Sequence, residues 1–281
     1  MPKHHRSAVA PTVLAAAALL AANAAAAVAQ VPSGGPSKEL EELNNLDINI
    51  PNTLHDALAV GRGSVELLGA ARYDRWNGHD TVRFFPRLLI GVAEGLQATV
   101  GVPYTVGTGP RADEGVFAFG ALYNFNRETA WLPAFAVSAE AGPTIGPGGR
   151  GERGERGRPS GEMRLFGIAS KTIDPEAFRR LHLNLGWFRA FDPTEEERRD
   201  RYRVALGYSQ LLLPRTVLIA DFLRESLEER GERAANILEA GFRHLVAPGL
   251  ILGGALGAGI GPDSPRFRAI LSVQFSLSGG R

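Results

Sequence analysis

Histidine is the side chain whose charge changes near neutral pH, so the histidines are the first candidates for chemistry. Beyond His4 and His5 at the extreme N-terminus, the chain carries His55, His79, His182 and His244. His182 alternates with Asn184 on what reads as a polar strand face. A serine hydrolase site needs a serine within reach of the imidazole and a third group to orient it. No serine stands at a matching position beside His182 in sequence, so it reads as a polar lumen residue. Glu195-Glu196-Glu197 has carboxylates for a hard cation, but Arg198-Arg199 follows directly, as in a self-paired solvated loop. The run Gly151-Glu152-Arg153-Gly154-Glu155-Arg156-Gly157-Arg158 lacks the lysine and the order of a phosphate-binding loop. It reads as a low-complexity exterior loop able to touch lipopolysaccharide. With no cysteine in the chain, a disulfide framework, a thiolate metal site, a cysteine nucleophile and a lipidated N-terminal cysteine are all excluded. These residues give no catalytic constellation, no metal site and no cofactor site, so the expectation is a protein that is not an enzyme.

A second set of charged residues shares a face of alternating segments: Glu66, Arg72, Arg83, Arg87, Glu140, Arg203, Asp221, Glu239, Arg243, Arg266 and Arg268. Two readings are open for them. They satisfy one another and fill an interior, or they line a pore and set its selectivity. Arg83 and Arg87 share a face, as do Arg266 and Arg268, with Arg72 on the first segment. If the first and last segments meet, these five form a positive sector of one wall.

The elements that position these charges alternate with period two from Gly61 onward. In the last segment Phe267, Ala269, Leu271, Val273, Phe275 and Leu277 lie opposite Arg266, Arg268, Ile270, Ser272, Gln274 and Ser276. A helix would scatter each set over both faces, so these are strands. About twelve such segments occur, near 64–74, 81–92, 96–106, 115–126, 130–144, 162–172, 181–191, 201–212, 216–226, 234–245, 249–260 and 266–277. Short connectors alternate with longer polar ones such as 146–161 and 192–200, the pattern of outer-membrane barrels with short periplasmic turns and long outside loops. One face of nearly every segment is Leu, Val, Phe, Tyr or Trp, whereas the other is rich in Gly, Ala, Ser and Thr with Arg and Glu. Tyr73, Trp76, Tyr104, Tyr123, Phe125, Trp131, Trp187, Tyr202 and Phe275 gather at segment ends, as interfacial girdles do. A soluble periplasmic or lipocalin-like barrel is the competing reading. The expectation is all-β: a closed antiparallel transmembrane β-barrel of about twelve strands behind an N-terminal signal peptide.

Residues 1–29 read as that signal peptide, with Lys3 and Arg6 ahead of an alanine-rich apolar stretch and Ala27-Val28-Ala29 as the cleavage site. Its removal leaves 29 basic and 30 acidic residues, a balance that advertises no nucleic-acid partner. Residues 30–60 read as a periplasmic lead-in, a loose linker in preference to a short helix built on Leu40, Leu43, Leu46, Leu54 and Leu58 that plugs or caps something. Residues 61–277 form the barrel and 278–281 a tail.

Three stretches resemble an outer-membrane family labelled "putative MetA pathway of phenol degradation" and described as transporters. They are Gly61-Arg62-Gly63-Ser64-Val65-Glu66-Leu67, the hairpin from Gly91 to Val102-Pro103-Tyr104, and the glycines Gly253, Gly254, Gly257 and Gly259 before the last strand. The resemblance implies a small-bore barrel linked with uptake of hydrophobic or aromatic compounds. Unlike most such barrels, the chain continues past Phe275 into Leu277 and a Ser-Gly-Gly-Arg tail.

The expected function is a narrow passive channel for small solutes, aromatic or anionic ones among them. The alternative is a closed-lumen barrel acting through its loops. Expected partners are outer-membrane lipids and lipopolysaccharide, the barrel-assembly machinery and the solute.

Overall fold

Period-two alternation places every second side chain on one face, and a sheet with one polar and one apolar face has unpaired edges unless it closes. The computed structural model describes residues 43, 45–47, 51–108, 112–145 and 161–277. The leader at 1–29, the Gly-Glu-Arg run at 151–158 and the tail at 278–281 lie outside the described residues.

Fifteen strand segments follow one another: β1 (Val65–Arg75), β2 (Asp80–Phe84), β3 (Arg87–Ala93), β4 (Leu96–Gly101), β5 (Tyr104–Gly107), β6 (Glu114–Val116), β7 (Ala118–Asn124), β8 (Ala134–Ile145), β9 (Gly161–Asp174), β10 (Arg179–Phe191), β11 (Asp200–Leu213), β12 (Thr216–Glu225), β13 (Ala235–Ala247), β14 (Leu250–Ile260) and β15 (Phe267–Ser276). Three pairs, β2/β3, β4/β5 and β6/β7, are halves of single strands, so the wall has the expected twelve. All pairings are antiparallel, and β15 pairs with β1 from Glu66↔Ser276 to Arg75↔Phe267, which closes the sheet.

The broken strands are neighbours, and proline explains the breaks. Pro86 and Pro103 lack the N–H that a ladder needs, and the third break, at Phe117, lies opposite Pro143. The ladder bridges each break through Phe85 N–H to Ala70 O (2.9 Å), Val102 N–H to Pro86 O (3.1 Å) and Phe117 N–H to Pro143 O (3.0 Å).

One end of the barrel carries tight turns at 94–95, 175–178, 214–215 and 248–249, with a longer connection only between β7 and β8. At Pro248-Gly249 the glycine takes φ +75°, as the third residue of a type II turn requires. The other end carries the longer loops. The outward face is apolar and exposed along its length, with Leu67, Phe119, Leu183, Leu206, Leu238 and Leu256 among the exposed side chains. Among the described residues no helix is long and apolar enough to cross a membrane. Trp131, expected within a strand, instead stands almost fully exposed in the turn between β7 and β8.

The described part of the lead-in is not a loose linker. Leu43, Leu46 and Leu54 are buried in one cluster with Val217, Ile219, Leu223, Ile237, Leu245 and Ile251. Ala57 packs with Leu122, Phe166 and Phe188, and Val60 with Leu68, Phe85, Leu89 and Ile270. The segment runs inside the turn half of the barrel as an irregular plug. Many inward positions there are accordingly large and apolar, which composition alone does not distinguish from an outward face. Glycines make room: a Cβ at Gly207 would lie 2.1 Å from Leu54 Cδ1, and one at Gly241 2.5 Å from Asn52 Oδ1. Fully burying a leucine contributes roughly 1.5–3 kcal/mol, so the plug's leucines are a strong reason for it to stay inside.

Candidate functional site: a plugged lumen and its vestibule

A plug of backbone without regular structure must find partners for its polar groups in the wall. Asn52 Nδ2 donates to Asp221 Oδ2 (2.9 Å), and Thr53 donates through N (3.0 Å) and Oγ1 (2.9 Å) to Glu239 Oε2. Asn184 accepts from His55 N (2.6 Å) and donates to His55 O (2.9 Å), so its side chain mimics a strand pairing. Ala57 N donates to Ser170 Oγ (3.1 Å) and Val60 N to Gln97 Oε1 (3.0 Å). Arg180 grips Asp56, Arg87 donates to Asp47 (2.7 Å), and Arg243 donates to Asn45 O and to Gln274 Oε1 (2.5 Å). Glu66 closes this group by accepting from Gln274 Nε2 (2.9 Å).

His182 is hydrogen-bonded to Ser170 Oγ (3.0 Å) and Ser209 Oγ (3.1 Å). Both serines reach it from adjacent strands, which is why no serine stands beside it in sequence: Ser170 is its direct register partner on β9. All three are buried, so the group fastens the plug through Ala57. Burial, aided by Arg87 and Arg203, pushes His55 down to about 4 against the pull of Asp47 and Asp56. Burial opposes the charge on Asp56, but Arg180 and His182 hold its carboxyl below the usual range.

Beyond the plug, the loop half encloses a cavity of about 330 Å³. Arg72, Arg83, Arg87, Glu140, Arg203 and Arg268 line it. Glu66, Asp221, Glu239 and Arg243 lie deeper, against or beside the plug. Arg266 belongs to neither group: it lies just before β15 with its side chain exposed, so the five-arginine sector holds only four of its members.

That sector is not a bare positive wall. Arg72 Nε lies 2.9 Å from Asp74, Arg268 bridges Asp74 (2.5 Å) and Glu239 (2.7 Å), and Arg87 contacts Glu140. Asp74 has the same strand parity as Arg72, and that parity was the signal for it. Parity also leads to Glu162, Arg164, Arg201 and Glu225, each of which lines the cavity. Arg203 pairs with Glu225 (2.6 Å), and Arg201 with Glu228 (2.7 Å) and Glu162. Strand residues of the lining comprise seven arginines and five carboxylates. Three rings face the same space: Phe85 under Arg72 (5.4 Å), and Phe188 under Arg203 (5.0 Å) and Arg201 (5.6 Å), with Phe166 edge-on to Phe188 (5.4 Å). Trp76, expected in an outer girdle, lines the cavity instead, stacked on His79 (5.7 Å).

The mouth is built differently. The loops after β10 and β12 join in an antiparallel bridge, Glu197 with Glu229. Arg198 N donates to Glu228 O and Arg230 N to Glu196 O, both at 2.7 Å. The guanidinium groups of Arg198 and Arg230 donate to the backbone carbonyls of Glu229, Glu232 and Glu197. Glu196, Glu197, Glu228, Glu229 and Glu232 line the opening. The Glu195-Glu196-Glu197 loop is thus fastened through its backbone.

No family model matches the chain, and no curated protein matches it. Solved structures do. An outer-membrane channel from Pseudomonas putida F1 superposes with a TM-score of 0.59 at 14% identity, over 83% of this chain and all of that one. The KdgM porin, solved with disordered oligogalacturonate, superposes with a TM-score of 0.50 at 9% identity, over 76% of this chain and 99% of that one. The chain therefore has the fold of outer-membrane β-barrels.

Proposed function

We propose that the protein is a narrow passive channel of the bacterial outer membrane, with a cleaved leader, its turn end in the periplasm and its loop end outside. The exposed apolar outer wall supports lipid as its surroundings, because a face of that kind in water would associate with another. The carrying observation is the cavity of about 330 Å³ lined by strand arginines over three phenylalanine rings. That lining suits small solutes bearing a carboxylate, aromatic carboxylates included, since guanidinium groups pair with carboxylates and rings accept flat apolar bodies. The resemblance to the phenol-degradation family points the same way for the aromatic part. The channel does not act as an enzyme in this reading. Lipopolysaccharide is its outer contact and the barrel-assembly machinery its route into the membrane.

The plug favours a second reading, a barrel whose lumen stays closed. Purified full-length protein in planar bilayers separates the two. The channel reading expects discrete conductance steps, a reversal potential on the anion side in a salt gradient, and a shift toward cations in Arg83→Glu. Absence of steps under all voltages would establish the closed barrel. An unchanged reversal potential in Arg83→Glu would remove the arginine wall from the conducting path.

A further inference from the structure

Among the described residues, the wall of the vestibule and the part of its mouth built by the loops after β10 and β12 carry opposite charge. The strand-borne lining has an excess of arginine, whereas every charged residue that the loops after β10 and β12 contribute to it is a glutamate. Of the four arginines of these loops, Arg198 and Arg230 bond backbone carbonyls, and Arg199 and Arg233 are exposed and do not line the cavity. Among the described residues, no ion pair reaches the carboxylates of Glu196, Glu229 or Glu232. Burial and the neighbouring Glu229, Asp263 and Glu228 push the Glu232 carboxyl up, as crowding of like charge at the rim requires. The bridge between the two loops holds this rim in place, so its field is fixed before a solute arrives. A narrow cavity with low-dielectric walls concentrates such fields.

We infer that the vestibule binds zwitterionic solutes, amino acids or betaines with a modest apolar body, their ammonium held at the glutamate rim and their carboxylate at the arginine wall. This rests on the channel reading for its physiological meaning and narrows its solute class. A simple carboxylate gains at the wall but must pass a repelling rim. A simple amine gains at the rim and meets arginines below it. Only a molecule with both charges, about one small residue long, is favoured at both levels. Phe188 and Phe166, under and beside Arg203 and Arg201, offer the apolar surface between them.

Trp76 lines this cavity, and the chain has three tryptophans. Replacing Trp131 and Trp187 with phenylalanine therefore leaves one reporter in the vestibule. Three probes with the same ring body separate the cases: phenylalanine, 3-phenylpropanoate and phenethylammonium, titrated into the detergent-solubilised full chain. Phenylalanine is expected to quench Trp76 with roughly tenfold tighter binding than either singly charged probe. Glu196→Gln with Glu229→Gln and Glu232→Gln, all in loops, should bring phenylalanine down to the level of 3-phenylpropanoate and leave the latter equal or improved. Equal or tighter binding of 3-phenylpropanoate to the unmodified rim would overturn the inference, as would phenylalanine binding indifferent to the triple substitution. The readout does not need conduction, so selective binding without conductance steps retires the channel and keeps the site. Steps without phenylalanine preference do the reverse.

Discussion

The turn half and the loop half of the barrel use the same strands and opposite interiors. In the turn half, Leu43, Leu46 and Leu54 lie against Ile219, Leu223 and Ile237. Asn52, Thr53, His55, Ala57 and Val60 bond side chains of the wall, while among the described residues Asn52 Oδ1 and His55 Nε2 are left without a partner. The loop half holds guanidinium groups, carboxylates and three rings around open space. What differs is the occupant. A segment covalently attached to β1 is present at effectively high local concentration, and the wall around it carries apolar inward residues and glycines. Among the described residues the vestibule has no attached occupant, and its arginines and carboxylates pair with one another. Buried charge without a partner is costly, which accounts for the dense arginine–carboxylate pairing.

Deleting residues 43–60 should remove the difference between the two halves. Conductance should rise by roughly an order of magnitude toward that of an open twelve-stranded bore. An unchanged step size in bilayers would mean that the plug does not limit flow. Next in size is Asp56→Asn, which leaves Arg180 buried without its carboxylate at a cost of about 3–5 kcal/mol. The expected result is frequent plug release, read as protease cleavage of the segment in otherwise intact barrels. Gly207→Ala should cost about 1–3 kcal/mol by overpacking against Leu54. Leu54→Ala in the same chain should recover part of that in thermal unfolding, whereas a purely additive double variant would show that the two do not touch.

Acid tests the plug through His55. Its pKa is lower in place than in the free segment, so the packed plug is favoured above about 6.5 and loses stability as pH falls toward about 4. Open-channel noise should grow across that window and be flat in His55→Asn. Smallest is Glu128→Gln in the turn after β7. Burial opposes the Glu128 charge, but Lys171 and Thr172 hold its pKa down. Its stabilisation, about 1 kcal/mol, is present above the ordinary glutamate range and fades as pH falls through the lowered value. A melting-temperature shift without any change in conductance is expected, because this contact lies outside the lumen.

Which strands exist, how many, and which face of each turns inward were written in the period-two pattern. Strand parity is local, so Arg72, Arg83, Arg87, Arg203 and Arg268 could be assigned to one interior, and extending parity would have added Asp74, Glu162 and Glu225. Breaks at Pro86 and Pro103 shift strand ends by a residue or two without changing the pattern. Three things were decided only in three dimensions. The lead-in enters the barrel although its composition is that of a linker, because Leu43, Leu46 and Leu54 find an apolar wall that exists only after closure. Ser170 and Ser209 meet His182 because cross-strand neighbours are set by register, and register depends on the geometry of the connections at 175–178 and 192–199, which the period-two pattern does not give. Arg266 falls outside the lumen because β15 begins one residue after it, and at a barrel rim parity no longer fixes where a long side chain goes.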